Sequence, residues 1–189
     1  IPPHPYHCLK MTPTILLHDK RFRLYMTAEE IDQKVRRVAA DISHDYGDKD
    51  PLLCPVLTGS CMFFADLARH LTIDPDIAFV RYSSYSGLHS TGKVKASLPF
   101  SEKCRGRHVI IVEDIVDTGI SMEFMLHELS LLSPASVKVC TFLTKPDNLV
   151  RQVPIDYCCA SIPNDFIVGY GLDYNEKGRT YKDLYIIDE

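Results

Sequence analysis

The sequence predicts an α/β protein with a Rossmann-like, twisted and mainly parallel sheet flanked by helices. Short apolar runs rich in β-branched residues, of which residues 109–112 are the clearest, are typical of strands buried on both faces. These runs alternate along the chain with apolar residues at helical spacing, the order that produces a parallel sheet covered by helices. A chain of 189 residues is long enough for one well-buried core with a small subdomain.

The elements can be assigned in chain order from local signals. Residues 1–14 carry four prolines and predict an extended arm. Thr27 and Glu30 form a capping box that begins a helix, and its apolar face contains Ile31, Val35, Val38, Ala39 and Ile42. Two further helices are predicted, one ending at His70 and one beginning near Ile120. The predicted strands cover residues 52–57, 77–82, 94–98, 109–112, 136–143, 155–162 and 185–187.

The helix and strand pattern also predicts how the chain is divided. Residues 15–146 and 181–189 are assigned to the core, and residues 1–14 and 147–180 to a small hood that covers one edge of the sheet. Residues 83–95, rich in Ser, Gly and Thr, are predicted to form a long polar surface loop, which the family resemblance given below identifies with a flexible lid. In such sheets, ligands bind beyond the carboxyl ends of the strands.

Composition restricts the possible functions. The net charge is −4, which argues against a dedicated nucleic-acid binder, and no apolar run approaches the roughly 20 residues that span a bilayer. The seven cysteines are odd in number, contain no C-x-x-C pair and lie largely in strand-like runs. This usage is typical of reduced thiols, and we expect a cytoplasmic protein.

The most informative segment follows the strand at residues 109–112. Two acids, Glu113 and Asp114, come first, and then a loop that opens the next helix: Asp117, Thr118, Gly119, Ile120 and Ser121. The free N–H groups at a helix start favour a phosphate, whereas the acids repel one. A ribose 5-phosphate resolves the conflict, because its hydroxyls, or a divalent cation, face the acids while its phosphate lies on the loop.

This segment resembles the phosphoribosyltransferase signature, a hydrophobic strand followed by Glu-Asp and then Asp-Thr-Gly-x-Ser. The resemblance implies that Glu113 and Asp114 bind the ribose of phosphoribosyl pyrophosphate, and that residues 118–121 bind its 5-phosphate. Other segments narrow the resemblance to the hypoxanthine-guanine, or 6-oxopurine, branch, from about residue 15 onward. In that branch, Asp117 is the candidate catalytic base that takes a proton from the purine N7.

The same resemblance implies a pyrophosphate site. Thr58 and Gly59 match the first loop of the family, Ser84 and Tyr85 match the Ser-Tyr pair of its lid, and Arg179 matches an Arg that contacts pyrophosphate. Relatives usually carry Lys-Gly in the first loop. Thr58 therefore removes one cation from this site, although backbone N–H donors remain.

The purine and metal sites follow from the last matching segments. Lys145 matches the residue that donates to the purine O6, Phe166 the ring that stacks on the base, and Ile167 a backbone that reads the base edge. Asp173 matches a residue near the base that also helps to hold magnesium–pyrophosphate. The implied cofactor is Mg²⁺, with Glu113 and Asp114 as further ligands.

The predicted activity is transfer of a phosphoribosyl group to N9 of hypoxanthine or guanine, which gives IMP or GMP and pyrophosphate. Two alternatives stay open at this stage. One is an enzyme that prefers xanthine, and the other is a non-catalytic, nucleotide-sensing regulator on the same fold. The resemblance further implies a homodimer or homotetramer, without a nucleic-acid or membrane partner.

Overall fold

The computed structural model describes residues 13–84 and 94–188. Within them, the helices are α1 (Ala28–Asp45), α2 (Cys61–His70) and α3 (Ile120–Ser130), and two 3₁₀ turns cover Glu102–Cys104 and Pro146–Asn148. The strands are β1 (Thr14–Leu17), β2 (Lys20–Met26), β3 (Pro51–Pro55), β4 (Asp76–Ile77), β5 (Arg81–Ser84), β6 (Val94–Leu98), β7 (His108–Val116), β8 (Ser136–Thr144), β9 (Tyr157–Ser161), β10 (Ile167–Val168) and β11 (Leu184–Ile187).

A five-stranded parallel sheet in the order β4-β3-β7-β8-β9 forms the core. Successive residues of β7 face opposite sides of this sheet, as the pleat requires. Ile110 and Val112 pack with α1 and α2, whereas Val109 and Ile111 pack with α3, and all four are completely buried. The predicted fold class, a parallel sheet with helices on both faces, is therefore confirmed.

Helix α1 begins where the sequence predicts. The Thr27 hydroxyl accepts from the Glu30 N–H, and the Glu30 carboxylate accepts from the Thr27 N–H at 2.8 Å, which completes the capping box. All five of the apolar residues predicted for its inner face are buried. The Asp183 carboxylate also accepts from the Ala28 N–H at 2.6 Å, so the C-terminal segment is attached to the start of this helix.

A second, four-stranded antiparallel sheet in the order β1-β2-β11-β10 forms the hood. Of its strands, β10 lies in residues 147–180, which the sequence assigns to the hood, whereas β2 and β11 lie in segments assigned to the core. The predicted division stays a prediction. Phe22 of β2 is completely buried and packs with Leu17 and Val168, while charged residues beside it remain exposed. One buried face is enough for an antiparallel sheet, so β2 can carry charged residues and lack the continuous apolar run of β7.

The predicted strand at residues 77–82 is divided in the structure. β4 pairs with β3 at the edge of the core sheet, and Val80 forms a single bridge to Val56. The chain then leaves the sheet, and β5 pairs with β6 in an antiparallel hairpin, which confirms the predicted return strand. The central part of the predicted lid, residues 85–93, lies outside the described residues.

The described residues bear on two features of the chain, its helices as possible membrane spans and the state of its cysteines. None of their helices is long and apolar enough to cross a membrane. Six of the seven cysteines lie in this part of the chain, and each is a free thiol.

Candidate active site

Two adjoining cavities lie at the carboxyl ends of β3 and β7, where the sheet type predicts a ligand site. The larger has a volume of about 510 Å³, and its lining includes Gly59, Glu113, Asp114, Ser121, Asp173 and Arg179. The smaller, of about 290 Å³, is lined by Glu113, Asp117, Thr118, Gly119 and Ser121 among others. The structure therefore brings most of the predicted ribose, phosphate and pyrophosphate residues together around two cavities whose linings share Glu113 and Ser121.

Glu113 and Asp114 are both partly buried near the end of β7. Asp114 Oδ1 accepts from the Ile115 N–H at 2.7 Å, and Glu113 Oε1 accepts from the Asp114 N–H at 3.1 Å. Burial raises the pKa of both carboxyl groups, and the neighbouring charge of Asp114 raises the pKa of Glu113 further. Such a pair favours a ligand that supplies hydroxyl groups or a cation.

Gly59 is required by its close contact with Asp114. A Cβ atom added at Gly59 would lie 1.6 Å from Asp114 Oδ2, so only glycine leaves room for this carboxylate. Gly171, with a φ of +101°, approaches the other side of the loop, and a Cβ there would lie 2.0 Å from the Gly59 carbonyl oxygen. Two glycines thus allow the first loop, the acids and the hood segment to meet.

The first loop contains the position at which the sequence departs from the family pattern. The peptide bond between Leu57 and Thr58 is cis. Leu57 and Gly59 line the larger cavity, whereas the Thr58 side chain is exposed and is not part of that lining. Among the described lining residues of this cavity, Arg179 is the one basic side chain.

Arg179 and Asp173 come from the hood and form an ion pair. The Arg179 Nη2 atom lies 2.8 Å from Asp173 Oδ1, and Arg179 Nη1 donates to the Gly171 carbonyl at 2.9 Å. The guanidinium also acts on Asp114, where its charge opposes the effect of burial on the pKa of that carboxyl. The hood therefore contributes one charge of each sign to the larger cavity.

The phosphate loop opens α3 through Gly119, which has a φ of +81°. A Cβ at Gly119 would lie 2.3 Å from the Arg151 carbonyl oxygen, and the Thr118 carbonyl accepts from the N–H groups of Val150 and Arg151 at 2.9 and 3.0 Å. Residues 145–151, which follow β8, therefore brace this loop from outside. Thr118 and Ser121 are partly exposed, and both residues line the smaller cavity.

Asp117 contacts two residues of that bracing segment. Lys145 Nζ lies 3.1 Å from Asp117 Oδ2, and the Asn148 side-chain amide donates to Asp117 Oδ1. Lys145 is only 8% exposed, whereas the Asp117 side chain is 41% exposed. Sequence reasoning missed Asn148, because its contact depends on the Pro146–Asn148 turn and on no motif.

The other predicted base-binding residues lie on the hood. Phe166 is 45% exposed, and its ring centroid lies 5.7 Å from that of Tyr174 in an edge-to-face arrangement. Ile167 is buried in β10. Neither residue lines the two cavities described above. Ser84 ends β5, and Tyr85 lies outside the described residues.

Comparison with known proteins places this geometry in a family. Residues 26–175 match the sequence model of the phosphoribosyl transferase domain. The chain belongs to the phosphoribosyltransferase family. It is 39% identical over 180 residues to the hypoxanthine-guanine-xanthine phosphoribosyltransferase of Tritrichomonas foetus. This alignment covers 95% of this chain and 98% of the relative. It is 35% identical over 168 residues to the hypoxanthine-guanine phosphoribosyltransferase of Streptococcus pneumoniae, covering 88% and 93% of the two chains.

Solved structures of this family share the fold. A hypoxanthine-guanine phosphoribosyltransferase from Bacillus anthracis superimposes with a TM-score of 0.82 at 34% identity, covering 87% of this chain and 98% of that one. A hypoxanthine phosphoribosyltransferase from Trypanosoma cruzi gives 0.83 at 34% identity, covering 92% and 95%. Membership of the hypoxanthine-guanine branch confirms the predicted enzyme class, a phosphoribosyltransferase. The similarity to these enzymes supports that prediction over a non-catalytic regulator.

Proposed function

We propose that this phosphoribosyltransferase transfers the phosphoribosyl group of phosphoribosyl pyrophosphate to N9 of hypoxanthine or guanine, as a purine salvage enzyme. The observation that carries the proposal is the 3.1 Å pair of Lys145 Nζ and Asp117 Oδ2. It presents a donor beside an acceptor, and a 6-oxopurine carries O6 and N7 side by side on one edge. Lysine has no acceptor, so the amino group of adenine is disfavoured.

In the proposed reaction, N9 attacks C1 of the ribose while the bond from C1 to the pyrophosphate oxygen breaks. Pyrophosphate leaves with the bonding electrons, and Asp117 accepts the proton from N7. Glu113 and Asp114 accept from the ribose hydroxyls, and residues 118–121 bind the 5-phosphate at the start of α3. Thr58 and Gly59, through their backbone N–H groups, bind pyrophosphate together with Ser84, Tyr85 and Arg179. Phe166 stacks on the purine, while Ile167 and Asp173 contact its edge.

Mg²⁺ is part of the proposal, because the lining of the larger cavity fits a hard cation. Glu113, Asp114 and Asp173 supply oxygen ligands, and the described residues contain no cluster of three or more side chains that could hold a metal by themselves. Mg²⁺ suits such a site, since it typically binds one or two carboxylates together with substrate phosphates. When bound, it neutralises the charge that develops on pyrophosphate. With an uncharged Thr58, this neutralisation depends mainly on the metal and Arg179.

We expect removal of Mg²⁺ to weaken binding of phosphoribosyl pyrophosphate by at least about tenfold, because the acids then face bare phosphates. Titration calorimetry with Mg²⁺ and with a chelator measures the difference. Asp173→Asn should reduce the Mg²⁺ dependence, because it removes a ligand and frees Arg179 for the phosphates. The exposed Asp74→Asn is the matched control. Equal affinity with and without Mg²⁺ would rule out this metal role.

Lys145→Met tests how the base is recognised. Methionine fills the buried space without a donor, and we expect kcat/KM for hypoxanthine and guanine to fall by about 10²-fold or more. Affinity for phosphoribosyl pyrophosphate should change little, and the discrimination against adenine should decrease. Lys138→Met is the control, since Lys138 lies in β8, the strand that ends just before Lys145, and its half-exposed side chain is paired to Asp156. Equal losses with every base would contradict recognition of O6.

Xanthine is a second candidate substrate, and the similarity to the Tritrichomonas foetus enzyme supports including it. A spectrophotometric assay with hypoxanthine, guanine, xanthine and adenine distinguishes these possibilities.

A cytoplasmic location and an assembly of two or four chains complete the proposal. The free thiols support the location. The assembly is supported by the similarity of this chain to the Trypanosoma cruzi protein, whose C-terminal region was studied for its role in the oligomeric state.

A further inference from the structure

Asn148 occupies a well-defined position beside the phosphate loop. It ends the Pro146–Asn148 turn, and its N–H donates to the Lys145 carbonyl at 3.0 Å. The Lys145 N–H in turn donates to the Val116 carbonyl at 3.1 Å, and the residues after Asn148 donate to Thr118. The backbone on both sides of Asn148 is therefore attached to the segment that carries Asp117, and its side chain reaches the Asp117 carboxylate.

We infer that Asn148 is a positioning residue for Asp117, and that its amide holds Oδ1 so that Oδ2 is the oxygen presented to the purine. The inference rests on the proposed function, in which Asp117 accepts the N7 proton. The two carboxylate oxygens have different partners, with Oδ1 bonded to Asn148 and Oδ2 beside Lys145. This division of partners fixes the rotation of the carboxylate about its Cβ–Cγ bond.

The physical reason is competition for Lys145. The Lys145 ammonium is almost completely buried and has three donors, whereas the Asp117 side chain is half-exposed. Without Asn148, the carboxylate can turn so that either oxygen, or both, pairs with Lys145. Oδ2 would then leave its present position beside Lys145 Nζ, from which the proposed reaction has it meet N7–H while Lys145 meets O6. Asn148 should therefore affect turnover and leave binding of phosphoribosyl pyrophosphate nearly unchanged.

Three single variants test the inference. Asn148→Ala removes the amide, Asn148→Asp keeps the shape but replaces the donor with a charge that repels Asp117, and Asp147→Ala changes an exposed neighbour in the same turn. We expect kcat for hypoxanthine to fall by about 10- to 100-fold in both Asn148 variants, because small misalignments of a reacting group carry costs of this order. KM for phosphoribosyl pyrophosphate should stay near the wild-type value, and Asp147→Ala should retain wild-type turnover.

A double-mutant cycle separates positioning from a general structural effect. If Asn148 acts through Asp117, then Asn148→Ala should cause no further loss in an Asp117→Ala background. The same loss in both backgrounds, or wild-type turnover in Asn148→Asp, would overturn the inference.

Asp117→Ala also reports on the proposed function separately. If it leaves turnover unchanged, the assignment of Asp117 as base fails, and the role of Asn148 fails with it. If it lowers turnover and the Asn148 variants do not, only the role of Asn148 is excluded.

Discussion

Asp117→Asn is expected to lower turnover by about 10²- to 10⁴-fold, the contribution typical of a positioned general base. The substitution preserves the shape of the side chain but removes the charge that accepts the N7 proton. It also turns one oxygen into a donor, so a repulsive contact with either Lys145 or Asn148 replaces one of the present hydrogen bonds. Steady-state kinetics with hypoxanthine, together with IMP affinity from titration calorimetry, measure the two effects separately.

The prediction for Asp117 requires that nucleotide affinity changes much less than turnover. Asp147→Asn is the matched control, because it makes the same chemical change at an exposed carboxylate in the adjoining turn. Unchanged turnover in Asp117→Asn would remove Asp117 as the base. A loss of IMP affinity as large as the loss of turnover would instead indicate a binding role.

Gly59→Ala should lower kcat/KM for phosphoribosyl pyrophosphate by about 10²-fold, because it displaces a ribose-binding carboxylate. The added methyl group would lie 1.6 Å from Asp114 Oδ2, so the Asp114 side chain has to turn away. That side chain is short and only partly buried, which limits the overpacking cost to at most about 1–3 kcal/mol of folding free energy. Activity should therefore suffer much more than stability.

A melting curve and a kinetic assay on the same Gly59→Ala preparation test this contrast. Gly47→Ala is a suitable control, since its Cβ would lie at an ordinary 3.4 Å from the Ser43 carbonyl oxygen. Nearly normal kcat/KM in a folded Gly59→Ala protein would show that the contact with Asp114 has no bearing on substrate binding. Unfolding of the variant would show that the loop is a folding determinant.

Several elements could be predicted because their signals are local. The capping box of Thr27 and Glu30 depends on residues within one helical turn. The apolar run at residues 109–112 predicted the central strand, because a strand buried on both faces needs an unbroken apolar sequence. The acids and the phosphate loop come directly after that apolar run in the chain, so their proximity in space was already implied by the order of the residues.

The hood sheet could not be predicted in the same way. β2 pairs with β11, although more than 150 residues separate them in the chain, and β2 carries three charged residues among its seven. Strand pairing over such a distance leaves no periodicity in either segment that names its partner. The sequence therefore assigns residues 15–26 and 181–189 to the core, although β2 and β11 pair in the second sheet.

The sequence by itself determined the fold class, the phosphoribosyltransferase signature and the residue types that surround the ligand space. Tertiary structure alone decided which of these side chains touch one another. Asp114 fits because Gly59 has no side chain, and Asp117 lies between Lys145 and Asn148 because the turn after β8 brings both to it. The physical reason is that a local pattern specifies an element through its own backbone and burial, whereas a contact between loops depends on distances that arise only when separate elements pack.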